Sequence, residues 1–135
     1  MLGEQIAEEK GKIMSQRVLD AEGPTIETTV SASGSVKGTQ VKETLTFKAR
    51  PISAGVLHGV GQAVIMAGES EMVSYTGEGI GRLTPPPSGG IKWRGAIFYS
   101  TSSTGKLAFL NNVIGLFEAE TDAEGSFSEK IWEWK

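Results

Sequence analysis

Cysteine is missing from all 135 residues. That excludes a disulfide framework, a thiolate metal site and a cysteine nucleophile. Histidine occurs once, at His58, so a multi-histidine metal centre is excluded, and with no serine in a nucleophile-elbow context no catalytic triad is recognisable. Lysine and arginine are scattered singly with no run of three, and the net charge is −3. Nucleic-acid binding draws on basic residues that neutralise phosphates, so this charge pattern argues against a nucleic acid and against an anionic membrane surface. No long apolar run is present, and the acidic start "MLGEQIAEEKGK" reads as neither a secretory signal nor a membrane helix. The expectation is a cytoplasmic protein folded as a single domain over residues 1–135.

What is abundant is glycine, at 18 of 135 residues, or about 13% against a usual ~7%. Serine and threonine are also plentiful, as suits turns and β-structure. Residues 2–11 read as a short, poor helix in which Leu2 and Ile6 lie four apart and Gly3 and Gly11 weaken the run. Residues 12–19 read as extended, and "EGPT" (22–25) breaks the chain.

Period two then takes over. Ile26, Thr28, Val30, Ala32 and Val36 form the less polar face of one strand. After a turn at 37–40, Val41, Leu45, Phe47 and Ala49 alternate with Lys42, Thr44, Thr46 and Lys48. Residues 56–66 are apolar on both faces and read as a buried strand. Further strands are expected at 71–83, 91–101, 113–120 and 126–135, with a helical turn or bend at 106–112. "TPPPSGG" (84–90) must be a loop, because prolines cannot donate to a sheet ladder. The connections are too short for parallel crossovers. The pattern predicts an all-β fold: an antiparallel closed barrel of seven to eight strands with a short N-terminal extension.

"YTGEGIGRL" (75–83) raises the question of a phosphate-binding loop. Such a loop opens a helix, whereas this one leads into three prolines, and no Walker-type lysine follows. Gly77, Gly79 and Gly81 instead share one side of a strand, as do Gly59 and Gly61 on the strand before. The shared bare patch allows sharp bending and lets something bulky lie flat on the sheet. Trp93, Tyr99, the N-terminal segment and a ligand are the candidates.

Several residues are candidates for chemistry. Glu43 is in phase with Val41, Leu45 and Phe47, and burial there would raise its pKa and fit it for proton transfer. The alternative is a strand end in water. His58 shares a face with Val56, Val60, Gln62 and Val64, either as a general base or as a half-buried histidine with its hydrogen bond satisfied. Glu78 and Arg82 face away from the glycines, and with Lys92 and Arg94 they make cross-strand ion pairs or line an anion pocket. Phe47, Val60, Tyr75, Trp93 and Tyr99 form the expected cavity wall, with His58, Glu43 or Arg94 as polar anchors. Trp132 and Trp134 share one face of the last strand, suited to closing the barrel or to a subunit interface. No metal site and no cofactor is expected.

The segments "GKIMSQRVL", "WRGAIFY", "LAFLNNVIGLFEAETDAEG" and "KIWEWK" resemble small uncharacterised prokaryotic proteins of this length. The barrel expected for such proteins is similar to that of allene oxide cyclase. That resemblance implies eight antiparallel strands, an apolar cavity and self-association. No cyclase motif is matched residue by residue, although Glu43 or Glu78 would be the carboxylate such chemistry needs. Three functions follow as expectations: a barrel binding a small apolar ligand, a cyclase- or isomerase-like enzyme, or a homo-oligomer with a filled interior.

Overall fold

A computed structural model describes residues 1–135. The chain forms eight strands: β1 (Leu2–Asp20), β2 (Thr25–Val36), β3 (Thr39–Ser53), β4 (Val56–Ala67), β5 (Glu71–Leu83), β6 (Ile91–Ser100), β7 (Ile114–Thr121) and β8 (Ser126–Trp134). Each strand pairs antiparallel with its neighbour in the sequence, and β1 returns to pair with β8, so the sheet closes in the order β1 to β8. Closure removes most of the free edge that would otherwise invite pairing with other chains, leaving only the second half of β1 unpaired on one side.

The N-terminal segment is not an extension, and residues 2–11 are not helical. They are the first half of β1, which pairs with both β2 and β8. The leucine–isoleucine spacing suggests a helix, but Ala7, Glu9, Gly11 and Ile13 alternate with Glu8, Lys10 and Lys12. Pairing on both sides rewards that alternation, whereas an isolated ten-residue helix containing glycine has little to hold it. Beyond Lys12 the strand leaves β8 and continues only against β2, which itself stays paired with β3 along its length.

The hairpin turns follow from local chemistry. Lys37 and Gly38 both have positive φ, the two-residue turn whose twist matches the strands it joins. The β6–β7 connection carries a single 3-10 turn at Ala108–Leu110. Leu107 and Leu110, both fully buried, plug this end of the barrel. The Glu71 carboxylate fixes the plug by accepting hydrogen bonds from the backbone N–H groups of Lys106 and Leu107 at 3.1 and 2.9 Å.

Inside, the aliphatic core runs through Ile6, Val36, Ile65, Val73, Ile97 and Ile131. The bare patch foreseen on β4 and β5 is occupied by aromatic rings. A Cβ on Gly59 would stand 2.8 Å from Trp93, and one on Gly79 would stand 2.9 Å from Phe117. Side chains there would drive the rings off the wall.

β4 is not buried on both faces. Gly59, Ala63 and Ile65 face inward, while Val60, Val64 and Met66 are largely exposed. Outside, register aligns charge in rows across four strands. Arg94 on β6 lies opposite Glu118 on β7, then Lys130 on β8, then Glu8 on β1. Opposite signs side by side favour this register over a slipped one.

Candidate functional site

Three inward-facing glutamates meet inside the barrel. Glu9 on β1 and Glu129 on β8 are direct cross-strand partners. Glu43 projects from β3, across the narrow wall that Ala32 and Gly34 provide on β2. Carboxylate oxygens from the three residues lie within 4.8 Å of one another. All three side chains are essentially inaccessible to solvent. Both oxygens of Glu9 and of Glu43, and one of Glu129, lack any hydrogen-bond partner. Like charges set opposite one another are unfavourable in a sheet, and more so away from water.

The electrostatics follow from burial. Loss of solvent pushes the Glu9 carboxyl up to about 7. Burial, reinforced by the Glu9 charge, pushes Glu129 up to about 8. Burial first, then the charges of Glu129 and Glu9, hold Glu43 well above the ordinary carboxylate range, with Tyr75 acting in the opposite sense. No lysine or arginine is buried, so the chain supplies no interior countercharge.

Two tyrosines complete the polar cluster. Tyr75 and Tyr99 are cross-strand partners on β5 and β6, packed edge to face with ring centroids 5.6 Å apart. Both are buried, and neither hydroxyl has a partner. Burial and the neighbouring glutamates raise both phenol pKa values, so the hydroxyls stay protonated and available as donors.

Next to this cluster lies a cavity of about 50 Å³, bounded by Phe47, Trp93, Phe117, Phe127, Tyr75 and Glu129. Phe47 and Trp93 meet edge to face at 5.5 Å. The Trp93 indole N–H is buried and unpartnered. The space suits a few waters or one small group. It is well below the roughly 150 Å³ that accepts a benzene ring.

Of the residues expected from the sequence, Glu43, Phe47, Tyr75, Trp93 and Tyr99 face the interior and are brought together there. His58, Val60, Glu78 and Arg94 are not. They sit on the outer face, because the inward phase runs through Gly59 and Ala63 on β4, Val73 and Tyr75 on β5, and Trp93 and Ile97 on β6. His58 Nε2 is 2.6 Å from Glu78 Oε2, an external cross-strand pair rather than a cavity anchor. Arg94 lies 3.6 Å from Glu118, also outside. Trp132 and Trp134 likewise point outward, and Phe127, Glu129 and Ile131 supply the inner face of β8.

Sequence reasoning missed Glu9, Glu129, Phe117 and Phe127. The signal was present as Ala7-Glu9-Gly11-Ile13 and Phe127-Glu129-Ile131. A helix reading of residues 2–11 hid the first, and attention to the two tryptophans hid the second.

No family model and no curated protein matches the chain. Among solved structures it is similar to a protein with unknown function from Clostridium acetobutylicum ATCC 824. That match has 12% identity and a TM-score of 0.79, and covers 98% of each chain. It is also similar to a conserved protein of unknown function from Rhodopseudomonas palustris, at 10% identity and a TM-score of 0.76, covering 99% of this chain and 98% of the other. At these identities the likeness shows a shared fold over essentially the whole chain.

Proposed function

We propose that the barrel binds a compact small molecule whose apolar stem enters between Phe47, Trp93 and Phe127 and whose tip donates a hydrogen bond to Glu129. The supporting observation is the meeting of an aromatic cavity with buried acceptors that nothing in the chain satisfies. Binding sites commonly combine an apolar wall with a few convergent polar groups. The cavity is small, so the guest is closer to a short-chain alcohol or amine than to a lipid.

The test is a thermal-shift titration with a series of short alcohols and amines, followed by a crystal structure of protein purified without refolding. A saturable rise in Tm that disappears in Phe47→Trp, which crowds the cavity, supports this reading. The absence of any such rise, with only water inside the barrel, overturns it.

A second reading is favoured by Glu43. A carboxyl kept protonated by burial beside a tyrosine hydroxyl is equipped to donate a proton to an apolar substrate, as a cyclase- or isomerase-like enzyme requires. The relation to an allene oxide cyclase-like barrel belongs to this reading, supported by eight antiparallel strands closed around an acid. Turnover of an apolar substrate that is lost in Glu43→Gln while the fold is retained would favour it over simple binding.

A further inference from the structure

We propose that Glu9, Glu43 and Glu129 form a site for one hard divalent cation inside the barrel, with the Tyr75 hydroxyl turned to it. The inference goes beyond the guest reading and does not need it, although Glu129 borders both.

The first support is geometric. Two adjacent strands, β1 and β8, and a third, β3, which lies beyond β2, deliver one carboxylate each to a common point. The oxygens lie within 4.8 Å of one another, a spread that three ligands of one ion can show. The small residues Ala32 and Gly34 on the intervening strand leave the room for Glu43 to reach the other two. A larger inward residue on β2 would stand between them.

The second support is independent of the acids. Tyr75 is 4% exposed and Tyr99 2% exposed, yet neither hydroxyl is hydrogen-bonded. Tyr75 is near enough to Glu43 to lower its pKa, while no hydrogen bond between them is closed. Buried polar groups almost always have partners. Two orphan hydroxyls beside five orphan carboxylate oxygens, two each on Glu9 and Glu43 and one on Glu129, leave a cluster short of one shared partner.

The third support is charge. Three ionised carboxylates carry −3, and every lysine and arginine lies outside the wall. A divalent ion brings the cluster to −1, and one retained carboxyl proton brings it to neutrality. The donor set is oxygen alone, without sulfur or imidazole, which selects Ca²⁺, Mn²⁺ or Mg²⁺ over softer metals. Bidentate carboxylates would supply six oxygens from the three residues, a number suited to Ca²⁺ and Mn²⁺.

The experiment uses full-length protein stripped with chelator and then dialysed. Mn²⁺ is the probe, followed by its electron paramagnetic resonance signal, and Ca²⁺ and Mg²⁺ are tested by competition and by thermal shift. The expected result is about one Mn²⁺ bound per chain, displaced by Ca²⁺, with a saturable rise in Tm. Glu43→Gln and Glu129→Gln should abolish both effects, and Tyr75→Phe should weaken binding by ~10-fold or more. Glu118→Gln on the outer face should bind as the parent does. The two interior glutamine variants remove a buried acid, so they should melt no lower than the stripped parent, which separates lost binding from lost folding. Phe47→Trp should bind Mn²⁺ normally even where it blocks the small-molecule guest, so each proposal fails separately. Undiminished free Mn²⁺ signal at stoichiometric protein, together with no thermal shift from Ca²⁺ or Mg²⁺, would overturn the site and leave a proton-sharing cluster only. Equal Mn²⁺ binding by Glu43→Gln and the parent would overturn it as well.

Discussion

Glu8 and Glu9 are neighbours in the chain and opposites in circumstance. Glu8 faces outward at the end of a row of alternating charge, Arg94–Glu118–Lys130–Glu8. Glu9 faces inward, opposite a second glutamate and near a third, with no cation beside it. Outside, the acids do what acids usually do in a sheet: they pair across strands and fix register. Inside, they break the rule that buried charge is matched. Stability alone would replace the inner three with apolar residues, and it is this departure that the proposed cation site addresses.

The largest expected effect contrasts two tryptophans on either side of the wall. Trp93 is 6% exposed and rests on the glycine patch, whereas Trp134 is 49% exposed. Trp93→Ala should lower stability by about 3–5 kcal/mol, because the rings of Phe47 and Phe117 cannot refill the space. Trp134→Ala should change stability by under about 1 kcal/mol. Urea denaturation of both variants measures the gap. Near-equal values would mean that the glycine patch does not hold Trp93 as described.

The next effect is a pH slope. Glu9 and Glu129 titrate near 7 and 8 in the folded chain and near 4.5 when unfolded. The folded protein therefore keeps protons that the unfolded chain releases. Their contribution is fully present below pH 4.5 and is lost as pH rises through about 8, at up to about 1.4 kcal/mol per unit for each group. Tyr75 and Tyr99, which face the same cluster, stay protonated throughout this window. Chelator-treated protein should thus lose stability between pH 5 and 8. Glu129→Gln should flatten the slope, and Glu118→Gln on the outer face should leave it unchanged. Unfolding in urea at successive pH values checks the sign, and a flat parent curve would show the carboxyls to be better solvated than the structure places them.

Much of this contrast was legible in the chain. The period-two runs of β2 and β3 each showed a less polar face, and those are the faces that turn inward. Glu43 stood in phase with Val41 and Leu45, which left burial or a strand end in water open, and only the closed barrel places it inside. The glycines of β4 and β5 announced a bare patch, although not which ring would cover it. The phase of β4 was illegible because valines fall on its outward face too, so His58 and Val60 were placed inside the wall. Glu9 was hidden because the four-residue spacing of Leu2 and Ile6 suggested a helix and masked the alternation of Ala7, Glu9, Gly11 and Ile13. Its inward direction is set by pairing with β2 and β8, and that pairing exists only once the barrel closes. The convergence of Glu9, Glu43 and Glu129 is likewise a product of closure, since their strands are far apart in sequence.

A smaller effect tests the patch itself. A Cβ on Gly59 would stand 2.8 Å from the Trp93 ring, inside any normal contact. Gly59→Ala should lower stability by about 1–3 kcal/mol through overpacking. His58→Ala, one residue earlier and outside, removes only a partly exposed pair with Glu78 and should fall within about 1 kcal/mol. Equal losses would place the strain in the β4 backbone rather than between the ring and the wall.

The smallest expected effect concerns the outer row. Arg94 and Glu118 approach to 3.6 Å but are 82% and 55% exposed, so water screens them. A double-mutant cycle with Arg94→Ala and Glu118→Ala should give a favourable coupling of about 0.2–1 kcal/mol that fades in high salt. The matching cycle on Glu9→Gln and Glu129→Gln in metal-free protein above pH 8 should give the opposite sign, because each acid there makes the other harder to ionise. Salt should scarcely touch that inner coupling, since counterions do not reach it. Two couplings of opposite sign and unequal salt response, measured on the two faces of one sheet, would locate the barrel wall as an electrostatic boundary. If both faded together in salt, the inner acids would have to be in contact with solvent, and the interior would lose its claim to any charged guest.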